Sequence, residues 1–323
     1  MALEDLDLVD RKILAELDRN ARISYSELGK RTRIAKETVK YRITQLEKKG
    51  IIDGYYTVIN NAKTGYLYYR LYLRLQNSSP AIEQEIEEYF KKSKYISVLF
   101  TVDGPYTIVL GIWVKNIWEY ERFWLETMKT YGEYIGNYQL SVMSNYVEFS
   151  KSYICPEKDY EKIGFSVMEE SAPQKLNENE TAVLRFIASN ARASLVEIAK
   201  ETKISIVTAR KCLIELRKNG VVLGYRTAIN IKKIGRQYYK VDLWLKKFKR
   251  YEEIASFVRA LPETTYAERT VLTSDVEFDV EVTGFDEFTK VMERIKNKFP
   301  EEIKDYRYYS RIASKKVVYV PKL

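Results

Sequence analysis

Leu6, Val9, Ile13, Leu14 and Leu17 recur at helical spacing, which predicts an amphipathic helix over about 7–18. Ser24-Tyr-Ser-Glu27 is a capping-box pattern, so a short second helix should run over about 24–32. A third helix follows over about 35–48, with Val39, Ile43 and Leu46 on its buried side and Gly50 placed to end it in the left-handed conformation. The next stretch, IIDGYYTVIN, is β-branched and aromatic and predicts a strand. Strands and helices then alternate. YLYYRLYLRL, YISVLFTV, YTIVLGIWV and YQLSVMSNYVEF read as strands, and PAIEQEIEEYFKK and IWEYERFWLETMKTY as helices, in the order βαββαβ.

The whole pattern then repeats. Residues 6–69 and 176–239 align without a gap at an offset of 170 (176 − 6), and Asn20/Asn190, Arg22/Arg192, Ser24/Ser194, Glu27/Glu197, Thr38/Thr208, Gly50/Gly220 and Tyr55/Tyr225 coincide. A second βαββαβ pattern runs from QYYKVDLWLKKF to DYRYYSRIASKKVVYV. Solenoid periods run to roughly 20–50 residues, so this is a tandem domain duplication. The expected fold is α+β: two winged helix-turn-helix domains alternating with two ferredoxin-like βαββαβ domains, a pseudo-dimer in one chain. The expected boundaries are helix-turn-helix 1–60, βαββαβ 61–152, linker 153–175, helix-turn-helix 176–230 and βαββαβ 231–323. The sheet face away from the helices carries tyrosines, among them Tyr66, Tyr68 and Tyr72, and is expected to pack on a second sheet.

Composition narrows the chemistry. The 323 residues hold 46% hydrophobic and 31% charged side chains, as in a folded globular protein. No apolar run approaches the ~18 residues of a membrane span and the N-terminus is acidic, so no membrane association is expected and a cytoplasmic location is. Cys155 and Cys212 fall in different modules and form no disulfide or metal-ligand pattern. There is no histidine, which removes the commonest general base and metal ligand together. The residues therefore call for no catalytic group, no metal and no cofactor.

The net charge is +9 (54 − 45) and it is uneven. Residues 19–49 carry 10 basic and 3 acidic side chains, or +7, and 189–219 carry 7 and 3, or +4. A basic patch at the same place in each copy is the footprint of a polyanion binder. The third helix of a helix-turn-helix enters the DNA major groove, and its outward side chains in the first copy read as Lys36, Glu37, Thr38, Lys40, Tyr41 and Arg42. Arg22, Lys30, Arg31 and Arg33 join Lys36, Thr38, Lys40, Tyr41 and Arg42 as the DNA-binding set of that copy. In the second copy the set is Arg192, Lys200, Thr208, Arg210 and Lys211, while Ile206, Val207 and Cys212 replace Lys36, Glu37 and Arg42. The basic run Arg226, Lys232, Lys233, Arg236, Lys240 and Lys246 is a further candidate for phosphate.

The pattern LDLVDRKILAELDRNARISYSELGKRTRIAKETVKYRITQLEKKGIIDGY closely resembles the DNA-binding domain of the Lrp/AsnC family of prokaryotic transcription regulators. The βαββαβ module, with TSDVEFDVEVTGFDEF from Thr273 in the second copy, is similar to that family's ligand-sensing domain. The resemblance implies a double-stranded DNA partner, pairing of the two βαββαβ domains within the chain, further self-association and an amino-acid-like effector. It places that effector near the turn between the second and third strands, here Asp103, Gly104 and Tyr106 in one copy and Ser274 and Asp275 in the other. Gly104-Pro105-Tyr106-Thr107 lacks the family's acid, and Ser274-Asp275-Val276-Glu277 lacks its Gly and Tyr, so neither turn offers a full clamp for a zwitterion. Sirohaem decarboxylases also look similar and include fused two-copy chains. Their chemistry is thought to involve histidine and arginine, and the lack of histidine disfavours that alternative. A DNA-packaging protein of low sequence preference is the other alternative.

Overall fold

The computed structural model describes residues 3–156, 161–271 and 273–321. The first helix-turn-helix is α1 (Leu8–Arg19), α2 (Tyr25–Thr32) and α3 (Lys36–Lys48), followed by β1 (Ile52–Ile59). The Asp7 side chain caps α1 by accepting from the Asp10 N–H at 2.8 Å, and Ser24 caps α2 by accepting from the Glu27 N–H at 3.1 Å. Glu27, expected to complete a capping box, instead pairs with Arg31 at 3.1 Å. Then come β2 (Leu67–Leu75), α4 (Pro80–Lys92), β3 (Ile96–Asp103), β4 (Ile108–Val114), α5 (Ile117–Tyr131) and β5 (Ile135–Phe149).

Strand β6 (Gly164–Met168) adds to β5 inside the stretch expected as a linker. It leads to the second helix-turn-helix, α6 (Glu178–Ala188), α7 (Leu195–Thr202) and α8 (Ile206–Lys218), and to β7 (Val222–Ile229). Here Ser194 and Glu197 do close a capping box. The order ends with β8 (Gln237–Leu245), α9 (Tyr251–Ala260), β9 (Thr264–Val271), β10 (Val276–Val282), α10 (Phe285–Lys298) and β11 (Ile303–Val317). Both βαββαβ orders are those read from the alternating pattern.

Two sheets organise these elements. β1 and β7 pair antiparallel, Tyr55 opposite Thr227 and Tyr56 opposite Arg226, so the strand after each helix-turn-helix is matched by its counterpart in the other copy. The remaining strands run β2-β4-β3-β11-β8-β10-β9-β5-β6, and β2 also pairs with β5. That last pairing closes eight of the nine strands (9 − 1, β6 being appended) into an antiparallel barrel. The two copies meet edge to edge along β3–β11 and β5–β9, which leaves neither βαββαβ sheet an open edge at those strands.

Four cores follow. Helices α4 and α5 cover the outside of β2–β5 around Leu71, Phe90, Leu110 and Phe123, and α9 and α10 cover β8–β11 around Leu243, Phe278, Phe288 and Ile295. The helix-turn-helix cores borrow from each other: the first includes Ile234, and the second includes Ala21 and Ile59. Tyr153, Ile154 and Cys155 also enter the first, so the chain after β5 is fastened to it. Facing into the barrel are Tyr72, Tyr238 and Tyr309, together with a set of charges.

Candidate nucleic-acid interface and the barrel interior

Helix α3 buries Val39, Ile43 and Leu46 and presents Lys36, Glu37, Thr38, Lys40 and Tyr41 to solvent. Tyr41 is 64% exposed. Arg42, predicted to point outward with them, turns back to α1. Its Nη1 lies 2.6 Å from Asp7 and 2.9 Å from Asp10, and these hydrogen bonds hold its pKa above the usual arginine value. Arg31 is likewise engaged, bridging Glu16 at 2.9 Å and Glu27. Lys30 and Arg33 are exposed, and Arg33 ends α2 in the left-handed conformation (φ 59°), as Lys203 ends α7 (φ 56°).

In the second copy Arg210, Lys211 and Lys200 are exposed, and the Thr208 hydroxyl sits 2.8 Å from that of Ser205, the N-cap of α8. Cys212 joins the core, whereas Ile206 and Val207 are 48% and 78% exposed at the start of the helix. The two copies thus offer different faces at equivalent positions.

Arg22 and Arg192 are positioned by protein, not left for phosphate. Arg22 donates to the Ala191 and Ala193 carbonyls, and Arg192 to those of Ala21 and Ile23. Three residues of the downstream basic run also require correction. Arg226, Arg236 and Lys240 are buried, Arg226 and Lys240 on strands β7 and β8 and Arg236 just before β8, where carboxylates and carbonyls receive them. Arg226 donates to the carbonyls of Asp18 (2.8 Å) and Ile163 (2.8 Å), and Arg236 to that of Glu281 (2.7 Å). Lys232, Lys233 and Lys246 remain exposed.

The barrel interior holds a charge cluster not anticipated from the sequence. Lys240 contacts Glu268, Glu277 (2.9 Å) and Asp279 (3.6 Å), and Arg70 contacts Glu268 at 2.8 Å. All five are nearly or wholly excluded from solvent. Burial pushes the Glu268 and Asp242 carboxyls up to about 7, against the pull of Arg70 and Lys240. Burial acts the same way on Glu277 but is overcome by Lys240 and by hydrogen bonds from Thr270 and Thr273, and its pKa falls to about 2. A signal was present: Val276-Glu-Phe-Asp-Val-Glu281 alternates acid and apolar with a period of two, so one face of that strand is wholly acidic.

The two turns singled out for an effector lie at one end of this barrel. β2 runs from Leu67 opposite Val114 to Leu73 opposite Ile108, so the 104–107 turn is at the end far from β1. Asp103 and Gly104 are exposed, and Gly104 packs against β11, where an added Cβ would come within 2.9 Å of Tyr309. Tyr106 is buried, its hydroxyl bound to Gln139 and 2.9 Å from Arg307. In the other turn the Ser274 hydroxyl is buried without a partner among the described residues, and Asp275 accepts from the Leu245 N–H at 2.7 Å.

Known proteins resemble this chain in sequence and in fold. The pattern of the winged helix-turn-helix DNA-binding family matches residues 6–53 and again 176–222. An uncharacterised HTH-type transcriptional regulator of Pyrococcus horikoshii is 35% identical over 124 residues, 38% of this chain and 77% of the relative. The same organism's transcriptional regulator LrpA is 31% identical over 111 residues, 34% of this chain and 77% of LrpA. The chain belongs to the Lrp/AsnC family of transcriptional regulators. It carries the family's unit twice in tandem. Among solved structures, the siroheme decarboxylase NirDL superposes with a TM-score of 0.62 over 97% of this chain and 94% of its own, at 13% identity. At that identity the likeness is one of fold. As an Lrp/AsnC regulator the chain has helix-turn-helix domains that bind DNA. No helix among the described residues is long and apolar enough to cross a membrane.

Proposed function

We propose that this regulator reads duplex DNA as an intramolecular pseudo-dimer. The observation that carries the reading is the pairing of β1 with β7, which ties two helix-turn-helix units together while α3 and α8 keep their N-terminal turns exposed. Two recognition helices held in this way fit two major-groove segments about one helical turn (~34–36 Å) apart. Lys30, Arg33, Lys36 and Lys40 are the phosphate contacts of the first arm, with Thr38 and Tyr41 facing bases. Lys200, Arg210 and Lys211 serve the second, where Thr208, Ile206 and Val207 offer mainly methyl contacts. The target is therefore an imperfect palindrome, better specified under α3. Selection from random duplexes with the full chain tests this: a two-part motif of unequal halves is expected, and no enrichment would favour a packaging protein instead.

A second reading, enzymatic, is raised by the fold likeness to NirDL, whose structure is known with an iron-uroporphyrin III analogue. Against it stands the absence of histidine. Purified chain mixed with sirohaem is expected to show neither a Soret shift nor decarboxylation, and either signal would overturn the non-enzymatic reading.

A further inference from the structure

A cavity of about 910 Å³ lies between the β1–β7 ribbon and the near end of the barrel, bounded on one side by the last residues of β11 and the chain after it. It is at the opposite end from the 104–107 and 273–275 turns, since Tyr68, Trp113 and Gln237 line it and these stand at the β1 end of their strands. Its volume is that of a small-molecule site, which typically encloses roughly 300–1,000 Å³.

The cavity wall is aromatic. Tyr68, Tyr146 and Tyr266 form a continuous stack, with ring centroids 6.1 Å and 5.4 Å apart, and Tyr56 lies parallel to Tyr319 at 4.4 Å. Burial raises the pKa of these phenols, so they stay neutral and can donate. Such walls favour a flat partner that lies against ring faces.

The polar groups show which charge it would carry. Three carboxylates of the wall are already matched: Glu281 by Lys151 (2.7 Å) and Tyr153, Glu148 by Arg226 (3.2 Å) and Tyr56, and Asp279 by Tyr238 (2.5 Å), while the fourth, Asp53, is exposed and 3.5 Å from the Asn230 amide. Arg311 is not matched in this way. Its guanidinium stacks on Tyr238 (4.3 Å) and Phe100 (5.1 Å) and is near enough to help hold the Glu281 carboxyl down, but forms no direct ion pair with any described residue. Trp113 and Thr227 also line the cavity, and their Nε1 and Oγ1 are buried without a hydrogen-bond partner among the described residues. Arg311 and Lys232, both without an ion pair among the described residues, and two orphaned polar groups beside a tyrosine-lined space call for acceptor oxygens and negative charge.

We propose that this cavity is a binding site for a flat aromatic carboxylate, its ring against the tyrosine stack and its carboxylate on Arg311. Trp113 and Thr227 would supply further hydrogen bonds to its polar edge. The site is distinct from the two inter-strand turns and does not depend on how the helix-turn-helix units meet DNA. Because β1 and β7 form its roof, an occupant would press on the ribbon that joins those units.

The test is titration of the full-length chain with 2-naphthoate, followed by calorimetry and thermal melting, with 2-naphthylmethylamine as the cationic counterpart. Saturable binding of one naphthoate per chain with a rise in Tm is expected, and the amine should bind at least about 10-fold more weakly. Arg311→Gln should weaken naphthoate about 10-fold or more, the cost of one charge-assisted contact, and Ala313→Trp, which fills the cavity, should abolish binding. The proposal fails if naphthoate does not saturate, if the amine binds as well, or if both folded variants bind naphthoate as the parent does. Should a variant not fold, the comparison of the two probes on the parent chain still decides.

Discussion

Arg22 and Arg192 hold each other's copy: Arg22 donates to Ala191 (2.8 Å) and Ala193 (3.0 Å), and Arg192 donates to Ala21 (2.5 Å) and Ile23 (3.4 Å). Each guanidinium also stacks on the other side's tyrosine, Arg22 on Tyr225 at 5.2 Å and Arg192 on Tyr55 at 5.3 Å. The relation is reciprocal, as in a two-fold dimer contact, although one chain supplies both halves. These arginines act on the geometry of the helix-turn-helix pair.

Arg22→Gln and Arg192→Gln are therefore expected to act on stability first. Each should cost on the order of 1–3 kcal/mol in urea unfolding, through lost charge-assisted hydrogen bonds and unpaired carbonyls. The dependence of DNA affinity on salt should keep its slope, because no phosphate contact is removed. A slope reduced by about one with stability unchanged would show that the side chains reach phosphate instead.

Lys36 should behave in the opposite way. Fully available at the start of α3, it is expected on Lys36→Ala to lower the salt slope by about one and to leave the urea midpoint in place. Thr38→Ala should relax base preference in the better-specified half-site alone. Arg42 is held by Asp7 and Asp10, and Arg42→Ala should cost stability and leave the salt slope in place. Affinity measurements on selected and random duplexes, beside melting curves, separate the three.

The barrel cluster predicts an unusual response to pH for a protein without histidine. Unfolded, Asp242 and Glu268 would ionise near 4, whereas burial holds both up to about 7 in the folded chain. Between roughly pH 4 and 7 the native state thus binds more protons than the unfolded state, and stability falls as pH rises through that window. Glu277, lowered to about 2, contributes the reverse, a stabilisation kept above its unfolded pKa and lost only as pH falls toward 2. Melting should accordingly move up from pH 8 to pH 5.5. Asp242→Asn should raise Tm at pH 8 and flatten this dependence, and a Tm that falls on mild acidification would refute it.

Most of the secondary structure and the duplication were legible without coordinates, because their causes are local. Caps at Ser24, Ser194 and Ser205, left-handed glycines at 50 and 220, and the period of apolar residues each act within a few positions. The exposure of Ile206 and Val207 likewise follows from their places at the start of α8, whereas Cys212, read as replacing an outward Arg42, is in the core. What each basic residue does was not legible in this way. Arg22, Arg42, Arg226 and Lys240 all read as positive charge available to phosphate, and all four are engaged by groups 28 to 208 positions away.

By itself, then, the sequence determined most of the helices and strands, though not β6, that the set occurs twice, and that the third helix of the first copy begins with polar, exposed side chains. The tertiary structure alone decided that β3 meets β11 and β5 meets β9 to close a barrel, which arginines remain free, and that a cavity opens beneath β1 and β7. The reason is physical. Hydrogen bonding and side-chain period are settled between neighbours in the chain, whereas the fate of a charge depends on which distant groups the closed barrel brings within a few ångströms of it.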